Sequence, residues 1–207
     1  MDLRMAIQKV VDLPKERYAT LFTVASASGL RCGELFALKM NDIDFKANTI
    51  RVDESVDMFG KVGPCKNATA YRTVLLADDE GIRAMQMLKG FVANRFHESS
   101  AFAFSSNRKT PLRESQVLRE ALHPALKALN LPQDGLHAFR RGCNRRWELS
   151  GVNSAVLHQQ MGYTSQAMTT RYTGHIPLDQ IKAECSKCGN KIDVLENTES
   201  LENEVAA

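Results

Sequence analysis

Apolar positions along the chain fall into helical and strand rhythms that change several times. After Leu13-Pro14 interrupts an opening turn, Tyr18, Leu21, Phe22 and Ala25 recur at helical spacing, so residues 1–28 read as helix up to Gly29. A second helix is predicted from Glu34-Leu35-Phe36-Ala37-Leu38. The rhythm then becomes two-residue alternation at Thr49-Ile50-Arg51-Val52 and again at Arg72-Thr73-Val74-Leu75-Leu76, which predicts two strands. Between them, Phe59-Gly60-Lys61-Val62-Gly63-Pro64 is dense in turn formers. Asp78 is placed to cap a long helix through Met85, Leu88, Phe91 and Val92. An extended AFAFSS segment and a polar loop precede a helix at 113–129. Leu131 to Gly135 reads as a linker, followed by a helix that Ser150-Gly151 stops, two short helices at 153–161 and 165–172, and a last one from Pro177 through Ala183. The expected fold class is mainly α with a small antiparallel β-sheet (α+β).

Composition adds a compartment and a polarity. The hydrophobic fraction of 43% and charged fraction of 25% are those of a globular chain with a real core. The net charge of +3 hides an asymmetry. Residues 183–207 hold six acidic and two basic residues, a balance of −4, which leaves the preceding body at +7. A basic body permits contact with nucleic acid without establishing it. Five cysteines without a secretory leader suit a reduced, cytoplasmic setting, and no apolar run reaches the ~18 residues of a membrane span. Cys185-Ser-Lys-Cys188 supplies half a zinc site, with His175 the one nearby addition, so no metal is expected there.

The chemistry concentrates in LHAFRRGCNRRW, Leu136 to Trp147. On a helix this segment puts His137, Arg140 (or Arg141) and Asn144 in one row, with Phe139, Cys143 and Trp147 free to point inward. The bland explanation is a solvated basic face. The alternative is an oxyanion site, since a guanidinium grips two oxygens and an imidazole trades a proton near neutral pH. Gly29-Leu30-Arg31-Cys32-Gly33-Glu34-Leu35 favours the alternative: it sets an arginine between two glycines at a helix start, where the backbone can approach an anion, with Glu34 able to hold Arg31 or cap the turn. Arg171-Tyr172-Thr173-Gly174-His175 adds a tyrosine among basic and hydroxylic residues.

Taken in order, these segments resemble the catalytic domain of the tyrosine recombinase (phage integrase) family over residues 1–182. GLRCGEL resembles the family's first-arginine motif, and LHAFRR its His-x-x-Arg box. GPCKNATAYRTVLL resembles the hairpin carrying the family's lysine, and MGYTSQAMTTRYTGH the segment with the sixth active-site position and the nucleophile. The resemblance implies that Tyr172 attacks a DNA phosphate to give a 3′-phosphotyrosyl link and a free 5′-hydroxyl. It implies that Arg31 and Arg140 clamp the non-bridging oxygens, that Lys66 protonates the leaving oxygen, with Lys61 its competitor, and that His137 assists proton transfer. Arg141, Asn144, Arg145 and Arg171 become DNA contacts. No cofactor or divalent metal is implied. The partners implied are double-stranded DNA and, on it, three further copies in a homotetramer; the isolated chain is expected to be a monomer, off the membrane and associated with the nucleoid.

Three features depart from or extend that pattern. Tyr163 stands where the family usually has His or Trp, and it gives up a proton near pH 7 less readily than His. The chain starts almost directly at the catalytic domain, so the family's N-terminal core-binding domain is expected to be absent from it. The 183–207 segment is expected to be a mobile acidic tail, and the stretch from Ile176 to Cys185 an arm that docks on a neighbouring protomer. Competing classes are a DNA-binding relative without chemistry, a type IB topoisomerase that relaxes supercoils, and an unrelated helical protein with a basic surface helix.

Overall fold

In the computed structural model, which describes residues 15–65, 70–93, 101–163 and 178–187, the first helix among the described residues lies at the centre. Helix α1 (Lys15–Ser28) buries Tyr18, Leu21, Phe22, Val24, Ala25 and Ala27, and also Thr20, Thr23 and Ser28. A helix covered on most of its circumference must satisfy its polar groups internally. Thr23 and Ser28 do so by donating to the carbonyls of Ala19 and Val24 one turn back. Gly29 ends the helix at φ +61°, in the left-handed region. Helix α2 (Cys32–Ala37) starts two residues earlier than its apolar pattern suggests, because Glu34 caps the backbone N–H of Arg31.

The β region is divided in two. Strands β1 (Ile43–Asp44), β2 (Thr49–Val52) and β5 (Arg72–Leu75) form an antiparallel sheet in the order β1-β2-β5, with Ile50 opposite Val74. Strands β3 (Glu54–Val56) and β4 (Val62–Pro64) form a separate hairpin. The turn-rich 59–64 segment therefore contributes strand β4 as well as a turn. Asp57 fixes the hairpin tip: its side chain accepts from the backbone of Phe59 and Lys61 and its N–H donates to Lys61 O, so Lys61 sits in the turn itself. Lys66 lies outside the described residues, between Cys65 and Ala70, both buried.

Asp78 caps α3 (Asp79–Ala93) through the N–H of Gly81, as its position predicts. The helix expected at 113–129 runs uninterrupted from Glu114 to Ala128 but changes hydrogen-bond register: α4 (Glu114–Val117), a π-helical turn (Leu118–Leu122) and α5 (His123–Ala128). Pro124 explains the change of register. It has no N–H and its ring crowds the carbonyl four residues back, so the ladder widens just before it, with His123 donating to Leu118. Helix α6 (His137–Leu149) carries the arginine-rich segment and ends at Gly151, φ +74°. Helix α7 (Ser154–Met161) is capped by the Asn153 side chain, and α8 (Leu178–Cys185) closes the described chain.

One core gathers α1, α2, β2, α3 and α5; a second joins Leu75, Cys143, Trp147, Val156, Leu157, Met161, Ile181 and Cys185. The charge-based boundary at 182/183 thus falls inside α8, whose Ile181 and Cys185 are both buried. Glu184, counted with the acidic tail, accepts from the backbone of Asn153 at 2.8 Å. Among the described residues no helix is long and apolar enough to cross a membrane, and no three His, Cys, Asp or Glu side chains cluster as metal ligands.

Candidate nucleic-acid phosphate site

The site is built on the end of α7. Gly162 takes the left-handed conformation, φ +63°, and the N–H groups of Gly162 and Tyr163 return to the carbonyls of Gln159 and His158. That closing turn satisfies two terminal carbonyls and leaves those of Gln160, Met161 and Gly162 without helical partners. Each is taken by an arginine. Arg72 Nε donates to Gln160 O at 2.7 Å, Arg140 Nη2 to Met161 O at 2.5 Å, and Arg31 Nη2 to Gly162 O at 2.8 Å. The negative end of a helix dipole favours cations there.

Among the described residues a single carboxylate balances part of that charge. Glu34 accepts four hydrogen bonds: Oε1 from Arg31 Nη1 at 2.8 Å and Arg72 Nη1 at 3.0 Å, Oε2 from the Arg31 backbone at 2.8 Å and Arg72 Nη2 at 2.9 Å. Glu34 thus both holds Arg31 and caps the turn. Burial pushes its carboxyl up, but the hydrogen bonds and charge of Arg72, with those of Arg31, outweigh it and hold the group below the usual range. Three guanidiniums around one carboxylate leave excess positive charge, the setting that recruits an anion.

The two clamp candidates differ in access. Arg31 is two-fifths exposed, at 42% of its side chain. Arg140 is only 2% exposed. Its second anchor is Gly29 O, 111 residues away and 2.6 Å from Nη1. Burial, then the nearby charge of Arg31, lowers its pKa. The ring of Tyr163 lies over its guanidinium at 4.9 Å, while the Tyr163 hydroxyl donates to Asn144 Oδ1 at 3.3 Å and its ring meets His158 edge-on. Tyr163 therefore roofs Arg140.

The rest of α6 separates by face. Phe139, Cys143 and Trp147 point inward as the spacing predicts. Of the pair Arg140 and Arg141, the first enters the site and the second stays on the surface, paired with Asp134. His137 and Arg145 are exposed, and Asn144 bridges Tyr163 to Glu148. Arg146 serves the scaffold, reaching Glu80 at 2.6 Å and Asp78 at 3.2 Å. Arg31, Arg140 and Tyr163 are thus brought together, whereas Lys66, Arg171, Tyr172 and His175 lie outside the described residues.

The glycines beside Arg31 serve a different purpose from the one their spacing suggests. A Cβ on Gly29 would sit 2.7 Å from the Met161 side chain, and one on Gly33 would sit 2.5 Å from Val56 O. The close approach they permit is to the protein's own α7 and β3. Sequence reasoning missed Arg72. Its signal was an arginine in the same alternating register as buried Val74, at an inward position of a strand. It also missed Gln160, whose amide pairs the open edge of β5 by accepting from Leu75 N at 2.8 Å.

Comparison with known proteins places this geometry. The sequence pattern of the phage integrase family matches residues 4–177. Tyrosine recombinase XerC of Bifidobacterium longum (strain DJO10A) is 23% identical over 177 residues, 83% of this chain and 47% of that protein. The XerC of B. longum subsp. infantis gives the same figures. The chain therefore spans about half the length of these relatives. The Tn1549 transposon integrase, solved in complex with circular intermediate DNA, superposes with a TM-score of 0.66 at 22% identity, covering 87% of this chain and 63% of that one. XerA recombinase superposes at 0.62 with 22% identity, covering 88% and 60%. At such identities the superpositions establish the fold: mainly helical with a small antiparallel sheet. With the family's pattern running from before α1 to the edge of α8, this chain belongs to the phage integrase family.

Proposed function

We propose that the chain breaks and rejoins double-stranded DNA as a site-specific recombinase, through a 3′-phosphotyrosyl intermediate. One observation carries the reading: Arg31 and Arg140, from distant parts of the chain, meet on the closing turn of α7, directly before the 164–172 segment. In this reading the Tyr172 oxygen attacks the scissile phosphorus and the 5′-oxygen leaves with a proton from Lys66, while His137 handles the tyrosine proton. The new phosphotyrosyl bond keeps the energy of the phosphodiester, so rejoining needs no nucleotide cofactor. Arg31 and Arg140 stabilise the charge that develops on phosphorus, the role a divalent cation would otherwise fill. Arg141, Asn144, Arg145 and Arg171 contact the duplex backbone, four protomers assemble on two duplexes, and the isolated chain is a monomer. The XerC relatives and the DNA-bound Tn1549 integrase support this assignment of substrate and reaction.

The test is a pool of nicked suicide duplexes incubated with the chain in EDTA at low salt and run on a denaturing gel. A covalent protein–DNA band that disappears in Tyr172→Phe is expected. A second reading, a DNA-binding relative without chemistry, draws on the roofing of Arg140 by Tyr163. It predicts a shift on a native gel and no covalent band, an outcome that refutes strand cleavage.

A further inference from the structure

Arg72 donates four hydrogen bonds beside the site, and neither the family resemblance nor the strand-cleavage mechanism gives it a role. Its side chain is 3% exposed. Nη1 and Nη2 grip the two oxygens of Glu34 in a fork, Nη1 also reaches Ala70 O at 3.0 Å, and Nε holds Gln160 O at 2.7 Å. A fork fixes the plane of a carboxylate as well as its position. The same two oxygens then hold Arg31, one by its backbone and one by its guanidinium. The other anchor of Arg31 is Gly162 O, two residues beyond the carbonyl that Arg72 holds. Of the two supports of the Arg31 guanidinium, Arg72 grips Glu34 directly and holds the turn that carries Gly162 O two residues earlier, at Gln160.

We infer that Arg72 is a positioning residue, which orients the phosphate-binding Arg31 through Glu34 and the Gln160–Gly162 turn. The inference rests on the proposed strand-cleavage role of Arg31, and it adds a mechanism: one guanidinium ties Glu34 to both β5 and the end of α7, which the Gln160 amide also joins. Lysine in its place keeps the charge and loses the fork. Because an error near 1 Å at a reacting group costs about 100-fold in rate, the loss falls on catalysis more than on DNA affinity.

The experiment compares wild type with Arg72→Lys in the full chain, using two readouts. Side-chain NMR on arginine-labelled protein follows the Arg31 guanidinium. Its rotation is expected to be slow in wild type and at least tenfold faster in the variant, while cooperative unfolding is retained. Single-turnover covalent complex formation on the nicked duplex pool is expected to fall about 100-fold, with DNA affinity changed less than about threefold. An unchanged Arg31 signal overturns the inference, and so does a covalent rate within about threefold of wild type. A defect confined to thermal stability, with normal cleavage by the folded fraction, also overturns it. If Arg72→Lys does not fold, Arg72→Gln, which leaves Glu34 and its bonds to Arg31 in place, is read in the same way. If wild type itself gives no covalent band, strand cleavage as proposed is refuted, and the NMR comparison alone decides whether Arg72 orients Arg31.

Discussion

Replacing Glu34 with glutamine removes the carboxylate that Arg31 and Arg72 share. The side chain is 2% exposed and accepts four hydrogen bonds. A glutamine oxygen can keep two of them, but its amide nitrogen then faces the remaining two donors, and Arg72 is left buried against neutral carbonyls alone. Removing one partner of a buried ion pair costs about 3–5 kcal/mol, a large share of the roughly 5–15 kcal/mol that holds a domain folded. Urea unfolding at pH 7 should therefore show a much lower midpoint for Glu34→Gln with an unchanged slope. The pH dependence follows from the sign of the shift. The folded carboxyl titrates below its unfolded value, so the unfolded state binds more protons in the acid range. The wild-type advantage is complete above the unfolded value of about 4.3, and it drains away as pH falls through the folded one. A destabilisation under about 1 kcal/mol, set against the 3–5 expected for a buried pair, would refute the reasoning. So would a wild-type advantage that stays constant far into acid.

Three further outcomes are expected. Asp78→Ala removes the α3 cap and the acceptor for Trp147 Nε1 and Arg146 Nη2; a loss of about 3 kcal/mol by urea unfolding, with a change in the native emission of the sole tryptophan, is expected. Gly29→Ala forces a side chain into φ +61° against Met161, at a cost of about 1–2 kcal/mol for the backbone alone; a thermal midpoint equal to wild type would show that the turn relaxes. The Cys32 thiol is pushed up to about 11 by burial and then by Glu114. Its alkylation at neutral pH, followed by mass mapping, should run about 100-fold slower than that of a free cysteine, and Glu114→Gln should speed it.

Strands and helices were legible wherever local chemistry decides. Thr49 to Val52 alternates whatever it packs against, Asp78 caps because its side chain reaches the next turn, and Gly29 and Gly151 stop helices because they take a left-handed backbone. The π turn at Leu118–Leu122 was legible in principle from Pro124. The β3–β4 hairpin was hidden, because short strands joined through Asp57 and Gly60, with Gly63 and Pro64 inside β4, carry the composition of a loop.

The sequence by itself determined the order of the elements, the inward stripe of Phe139, Cys143 and Trp147, and the motifs that place the chain in its family, since each depends on residues within a turn or two of one another. Only the tertiary structure decided between Arg140 and Arg141. Neighbours on a helix differ by about 100°, and which one is buried depends on carbonyls at Gly29 and Met161 that the fold brings there. The same holds for Arg72. A buried arginine is tolerable only where a carboxylate and carbonyls converge on it, and Glu34 and Gln160 meet it from 38 and 88 residues away.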